Sequence, residues 1–404
     1  MGYKNNTLAF SCVLKSKVKN MHGKDMWIVN TMNLDSLDNK MQEVCRHFCI
    51  PAAYQSYEEI KVGNVNKTYK VNFIHDDKKQ PGQKKAKSYM VQSINTYAFK
   101  NPVQVMDNID KVTEHIHAKD PKRRCLHFHH TQERENYFFD GDGFWRLFNY
   151  VPSSTYSTTD NLTVIRNGGK AFGDFQMMLS DFDASELYVT IPDFHNTQKR
   201  YEQLQQALAE DPVGRASQVR QEVDWLLSVK DEACRLTQMQ IDGVLPLRVT
   251  HNDTKINNVL FDTETDEALV VIDLDTVMPG LVGHDFGDAI RFATNFVEED
   301  CPETEKVGVN MEIFRAFTEG FLSQTAKTLT QPEIDTLALS CFALACELAT
   351  RFLADYVMND VYFKTNYSDH NLVRTRCQIA LAKDMLKKMP EMERIIKECV
   401  AAVG

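Results

Sequence analysis

The chain has 404 residues, 43% hydrophobic and 25% charged. That suits folded protein of about two domains at roughly 100–200 residues each, and it excludes wholesale disorder and collagen-like repetition. With 56 acidic against 46 basic residues the net charge is −10, which repels a phosphate backbone and excludes nucleic acid as the main partner.

Ten cysteines are scattered without a C-x-x-C pair. A long chain with that spacing is expected to keep reduced thiols in the cytoplasm. No stretch is expected to span a membrane, because the best candidate, residues 338–358, is interrupted by Glu347, Arg351 and Asp355. The amino terminus mimics an export signal only faintly. Its apolar core is short, it lacks a small-x-small site, and Lys15, Lys17 and Lys19 follow at once. Residues 1–33 show no clear periodicity and are expected to form an extension without order.

Helical spacing covers residues 35–49 (Leu37, Met41, Val44, Cys45, Phe48) and stops before Pro51. Strands are expected at 60–62, 69–74 and 89–94, the first two joined by a tight turn at Gly63, with a lysine-rich polar loop over 76–87. A helix over 103–116 follows, then strands at 125–130, 137–139 and 144–151, the last two around Asp140-Gly141-Asp142-Gly143. Beyond Lys170 helices dominate, over 171–182, 197–209, 215–237, 310–327, 331–358 and 371–389. One β hairpin interrupts them at 258–262 and 268–273. The fold class is therefore α+β and bilobal, in the manner of protein kinases. A small antiparallel β lobe with one main helix would span 34–150, and a larger, mostly helical lobe 151–404.

The stretch from Val249 to Leu260 has the spacing H-x-D-x-x-x-x-N, and the following strand ends in Ile272-Asp273. Phosphoryl transfer from ATP needs a carboxylate to take the proton of the attacking hydroxyl, oxygen ligands for Mg²⁺, and positive charge near the transferred group. Asp253 sits where the base belongs, Asn258 and Asp273 can hold Mg²⁺, and Lys255 can reach the γ-phosphate. His251 fits a loop brace better than a titrating group. The spacing alone recurs by chance; the motif, the hairpin and Asp273 together, in a helical lobe after a β lobe, make a specific signal.

These residues resemble the aminoglycoside phosphotransferase/choline kinase superfamily, and within it the N-acetylhexosamine 1-kinase branch. Segments 247–255, 272–280 with 285–288, 351–356 and 370–376 carry the likeness, with Ala171 to Gln176 and Phe194 to Thr197 beside them. The resemblance implies ATP and Mg²⁺ as cofactors and a small-molecule sugar, GlcNAc or GalNAc, phosphorylated on its anomeric hydroxyl. No obligatory protein partner is implied. Matching positions imply sugar contacts at Asn64, Arg351 and Tyr362, with Thr276 nearby. Gly63, Val65, Lys67, Thr68, Asn149 and Val151 would meet the nucleotide.

Arg351 has support of its own, since it lies in an apolar helix with Glu347 and Asp355 four residues to either side. Charges there must be paired or face a site, so a structural ion network and a sugar contact both remain open. Tyr362 reads equally as a core or loop aromatic. Two departures stand out. Asn64 replaces an expected histidine, and Gln92-Ser93 occupies the strand position where many kinases carry a phosphate-binding lysine. Lys67 is a candidate substitute, or a solvated lysine. His127 and His129 share a strand face, but a metal set there lacks further ligands. Other readings are a kinase for another small alcohol, such as choline or an aminoglycoside, and a non-catalytic nucleotide-binding regulator.

Overall fold

In the computed structural model, which describes residues 14–19, 25–30, 34–61, 65–76 and 84–404, the alternating stretches of the first 150 residues become strands. Within 1–33, read above as an extension, β1 (Leu14–Lys19) and β2 (Asp25–Asn30) pair antiparallel, with Leu14 opposite Asn30. The period was present: Leu14, Ser16 and Val18 alternate with three lysines. Helix α1 (Leu34–His47) follows, then β3 (Ala53–Ile60), β4 (Lys67–Asp76) and β5 (Lys84–Ile94). With β6 (Phe138–Phe139) and β7 (Phe144–Asn149) these make an antiparallel sheet in the order β3-β4-β5-β7-β6.

One face of that sheet is apolar at period two: Tyr69, Val71 and Phe73, then Tyr89 and Val91, then Trp145 and Leu147. Met41, Val44 and Cys45 of α1 cover it. Residues 125–130 do not form the expected strand. Phe128 makes a single bridge to Phe148, because this segment and β6 share the outer edge of β7 and neither can extend past the other.

Helix α2 (Pro102–Lys119) belongs with the helical part of the chain, so the compact units differ from a simple division at residue 150. One unit joins the described residues up to Ala98 with His127–Tyr150, and the other joins Phe99–Leu126 with Val151–Gly404. The fully buried amide of Asn108 explains the grouping. Its Nδ2 donates to the carbonyls of Tyr188 at 2.8 Å and Val277 at 2.9 Å, and its Oδ1 accepts from the Tyr188 amide at 2.9 Å. A buried amide with every partner in one unit fixes α2 there.

The second unit continues with α3 (Leu162–Met178), which starts earlier than expected because Asn161 caps it. Next come α4 (Thr197–Glu210), α5 (Arg220–Ser228), α6 (Lys230–Ala233) and α7 (Arg235–Ile241). The last three replace one expected helix, which breaks where Val229 leaves helical geometry at φ −110°. Four short strands follow: β8 (Arg248–Thr250), β9 (Val259–Phe261), β10 (Ala268–Val271) and β11 (Met278–Gly280). Then come α8 (Val282–Ala293), α9 (Met311–Thr325), α10 (Gln331–Asp335), α11 (Leu337–Val357) and α12 (His370–Val403).

By length and a mean hydropathy of 1.6, α11 could cross a bilayer, contrary to the sequence reading, but 83% of its apolar window is buried inside the protein. It is the central core helix of its unit. Its two buried carboxylates are satisfied internally, Glu347 by His195 and Asp355 by backbone amides.

Candidate active site

The 251–258 loop starts from the β8–β11 pair, where Thr250 lies opposite Met278 and Arg248 opposite Gly280. Gly280 is required by close approach, since a Cβ there would collide with Thr250 Oγ1. Asn252 has left-handed backbone geometry at φ +63°, and its Nδ2 donates to the Thr276 carbonyl at 2.9 Å. Asp285, buried at the start of α8, accepts from the amides of His251 at 2.9 Å and Asn252 at 2.7 Å. Gln176 Nε2 donates to the same carboxylate at 2.6 Å. Burial pushes the Asp285 carboxyl up, while these donors pull against it. Both the 171–176 and 285–288 segments singled out in the sequence thus meet behind the loop.

His251 is a brace. Its Nε2 donates to the Ile272 carbonyl at 2.8 Å, and its Nδ1 accepts from the Asp253 amide at 3.3 Å. Those two bonds assign the proton to Nε2. Thr276 Oγ1 donates to the His251 carbonyl at 2.6 Å, so the hydroxyl proton of this sugar-contact candidate is committed to the loop.

Asn258 turns back on Asp253, donating Nδ2 to its carbonyl at 2.8 Å and to Oδ2 at 3.1 Å. Lys255 Nζ lies 3.0 Å from Asp253 Oδ1. Burial works against the Lys255 charge, but Asp253 and Asp288 outweigh it and hold its pKa above the ordinary value. The Ile272 amide donates to the Asn258 carbonyl at 2.9 Å, which brings Asp273 beside Asn258. Asp273 is exposed and left-handed at φ +60°. The four residues of the motif therefore converge.

Two residues with hard oxygen donors are brought next to each other by that backbone bond. Because Asn258 spends its NH₂ on Asp253, its Oδ1 is the end left for a cation, and Asp273 adds a carboxylate. This set fits Mg²⁺, which takes one or two protein ligands and completes its shell with phosphate oxygens and water. Among the described residues no group of three or more His, Cys, Asp and Glu could hold a metal. His127 and His129 lie with ring centroids 4.9 Å apart, and His129 is bonded to Asn149 Oδ1 at 3.1 Å.

Arg351 and Tyr362 line a cavity of about 410 Å³ with Phe194, Phe363, Arg200 and Asp355. The Arg351 guanidinium faces the rings of Phe363 at 5.4 Å, Phe194 at 5.6 Å and Tyr362 at 5.9 Å. Among the described residues it makes no hydrogen bond and no ion pair within 4 Å, so of the two readings left open the ion network is the less favoured, although its charge still helps to hold Glu347 ionised. Asp355 instead accepts from the amides of Tyr362 at 2.8 Å and Phe363 at 2.9 Å. Glu347 turns to His195 at 2.9 Å and to Thr197 Oγ1 at 2.9 Å. Tyr362 is 66% exposed, so it is not a core aromatic, while a loop aromatic and a ligand contact both fit its position.

In the sheet unit, Gly63 and Asn64 lie outside the described residues. Val65 is exposed, and its carbonyl accepts from Asn95 Nδ2 at 3.2 Å. Lys67 is exposed at the start of β4. Thr68 is buried and accepts from Gln92 Nε2 at 3.0 Å. Asn149 is held by His129, and Val151, half-buried, opens the segment after β7 with its carbonyl bonded to Ser153. The sequence reading missed Arg146. Register sets it opposite Gln92, where its Nε and Nη2 donate to Gln92 Oε1 at 3.0 and 2.8 Å. A buried cation thus adjoins the strand position that lacks a lysine, and only strand pairing reveals it.

Comparison with known proteins decides the family. Residues 63–307 match the model of the phosphotransferase enzyme family. The chain belongs to that family. It is an ATP-dependent small-molecule phosphotransferase, and the family uses Mg²⁺ with ATP. Solved structures show the same fold. A microcompartment-associated aminopropanol kinase matches with a TM-score of 0.57 at 15% identity, covering 87% of this chain and 98% of that one. An aminoglycoside phosphotransferase from Alicyclobacillus acidocaldarius matches at 0.55 and 12% identity, covering 88% and 96%. A spectinomycin phosphotransferase, solved with ADP and spectinomycin, matches at 0.53 and 14% identity, covering 88% and 98%. At these identities the likeness is one of fold, and the acceptor of this phosphotransferase has to be argued from its own residues.

Proposed function

We propose that this phosphotransferase moves the γ-phosphoryl group of ATP to the anomeric hydroxyl of an N-acetylhexosamine, GlcNAc or GalNAc, in the cytoplasm. The Arg351 cavity carries the reading. A guanidinium among three aromatic rings, with no hydrogen bond among the described residues, suits a neutral sugar, whose C–H faces lie on rings and whose oxygens accept from arginine. It repels a cationic acceptor such as choline, an aminoglycoside or an amino alcohol, which would call for an acidic or purely aromatic cage.

Asp253 takes the proton of the anomeric hydroxyl as that oxygen bonds to phosphorus and the bond to the β–γ bridging oxygen breaks, releasing ADP. An anomeric hydroxyl is more acidic than an ordinary sugar alcohol, so alignment is the main task of the carboxylate. Asn258 and Lys255 hold that alignment, one bond to each carboxylate oxygen. Mg²⁺ at Asn258 and Asp273 would supply charge neutralisation on the phosphates. Lys255 adds a fixed positive charge beside the transferred group. Gly63, Val65, Lys67, Thr68, Asn149 and Val151 remain the proposed nucleotide contacts, with Arg146 as a buried cation behind the strand that lacks a lysine.

The test is a panel of acceptors with ATP and Mg²⁺, read by phosphorus NMR of the product. GlcNAc or GalNAc is expected to give the sugar 1-phosphate. Product from ethanolamine, choline or spectinomycin, with none from the two sugars, would overturn the sugar reading and leave the phosphotransferase intact.

A further inference from the structure

His195 and Glu347 form an ion pair with side chains 7% and 2% exposed. His195 Nδ1 lies 2.9 Å from Glu347 Oε1, and its Nε2 lies 3.2 Å from the carbonyl oxygen of Asn252. A carboxylate oxygen and a backbone carbonyl can only accept, so both ring nitrogens donate and the ring is an imidazolium. Thr197 Oγ1 donates to the second Glu347 oxygen at 2.9 Å. No group of the dyad is left over to do anything but hold its neighbours.

What it holds is the peptide that enters Asp253. The Asn252 carbonyl is the oxygen of that peptide plane, and Asn252 has φ +63°. A left-handed non-glycine residue persists only where its surroundings over-determine it. Asp285 holds the Asn252 amide, Thr276 takes its side chain, and His195 takes its carbonyl from the other side. Stability alone does not call for this pair, since an apolar pair of similar volume would serve as well or better. The pair also has neighbours in the acceptor cavity. Phe194 precedes His195, and Arg351 stands one turn after Glu347, with its guanidinium 5.6 Å from the Phe194 ring.

We propose that the buried His195–Glu347 pair is a positioning device that fixes the Asn252–Asp253 peptide, aims the Asp253 carboxylate, and ties that aim to the acceptor cavity. The inference rests on Asp253 being the base. Three elements face the ring, two of them with charged or titratable groups. Glu347 comes from α11, with Arg351 one turn on. His284 comes from α8, its ring centroid 4.8 Å away, with Asp288 behind it. The 251–258 loop offers the uncharged Asn252 carbonyl. Burial opposes the charge on His195, but Glu347 and Asp288 outweigh it and raise its pKa. Burial, and then His195 itself, push His284 down to about 3, so the second ring stays neutral.

The test compares His195→Gln, Glu347→Gln and Thr197→Val with the parent by thermal unfolding, KM for ATP, and kcat across pH. Misplacing a reacting group by about 1 Å costs roughly 100-fold. A loss of that size in kcat is expected for the first two variants, with KM for ATP unchanged. In Glu347→Gln the loss should shrink as pH falls and the imidazolium re-forms without its carboxylate. A purely structural pair would lower the unfolding temperature and leave kcat per folded molecule alone, and that result overturns the proposal. So does a Glu347→Gln loss equal at every pH. If both fail to fold, Thr197→Val decides, since it removes one hydroxyl: a severalfold fall in kcat supports the device, and an unchanged kcat refutes it. Asp253→Asn separates the two ideas. Full turnover there sinks the base assignment, whereas lost turnover alongside intact dyad variants sinks only the positioning device.

Discussion

At the scale of single residues, the site is a set of hydrogen bonds that leave particular atoms available. Asn258 spends its NH₂ on Asp253 and keeps its Oδ1. Asn258→Asp would replace that donor with a carboxylate facing Asp253. Like charges would then oppose each other, and kcat is expected to fall even if Mg²⁺ affinity rises, as a Mg²⁺ titration of the variant would show. Asp253→Asn removes the base and is expected to lower kcat by about 100- to 10,000-fold while nucleotide binding, followed calorimetrically, persists. Arg351→Met keeps the stem against its three rings and removes the donors. A charge-assisted bond is worth about 1.5–3 kcal/mol, so the acceptor KM is expected to rise roughly 10- to 100-fold with KM for ATP unchanged. The sequence reading left Arg351 between an ion network and a ligand contact. Periodicity puts Glu347, Arg351 and Asp355 on one face, but it cannot say that His195 claims the first and the Tyr362 and Phe363 amides claim the last.

Among the elements, close approach decides what can change. Helices α3 and α9 pack through glycines: a Cβ on Gly169 or Gly173 would strike the carbonyl of Phe317 or Phe321, and one on Gly320 the carbonyl of Arg166. Overpacking of a tight contact costs about 1–3 kcal/mol. Gly320→Ala is therefore expected to lower the denaturant midpoint by a measurable step without altering KM for either substrate. Gly280→Ala acts differently. It presses on Thr250 Oγ1 beside the left-handed Asn252, so kcat should fall more than stability does, read as activity per folded molecule. Element boundaries legible in the sequence were those with capping or periodic signals, such as α4 behind Asn196. Helix α8 and the β8–β11 pair were not read from the sequence. Three-residue strands have too few side chains to show a period, and α8 buries its polar residues His284, Asp285, Asp288 and Arg291 along with its apolar ones.

For the molecule as a whole, buried charge sets the response to pH. His284 is fully buried and its pKa is pushed down to about 3 from an ordinary 6.5. A histidine lowered in the folded state contributes stability that is full above 6.5 and lost as pH falls towards 3. Glu347 works in the same direction over a lower window. Burial would raise it, but His195 holds it at about 2, so its contribution is present above 4.5 and lost as pH falls through 2. His195 has the opposite sign, since its raised pKa gives stability that is present below 6.5 and lost at higher pH. Replacing His284 by Phe is expected to flatten the fall in urea midpoint between pH 6.5 and 4, which unfolding curves at stepped pH would measure. An unchanged slope would show that His284 does not carry it. Membership of α2 is also a property of this scale. Its spacing announced a helix, but Asn108, with partners at Tyr188 and Val277, placed it among the helices.

The sequence by itself determined the bilobal α+β class and the order of most of the longer elements, and it offered the short constellation of Asp253, Lys255, Asn258 and Asp273. Those features are local or nearly so: a spacing within one loop, a period within one strand, a hairpin between neighbours. Tertiary structure alone decided that Glu347 belongs to His195, that Arg351 faces the ring of Phe194, that Arg146 lies against Gln92, and that α2 joins the second unit. Each of these joins residues tens to hundreds of positions apart. Which of several chemically suitable partners a buried polar group takes depends on packing geometry, and packing is not written in the spacing of any one segment.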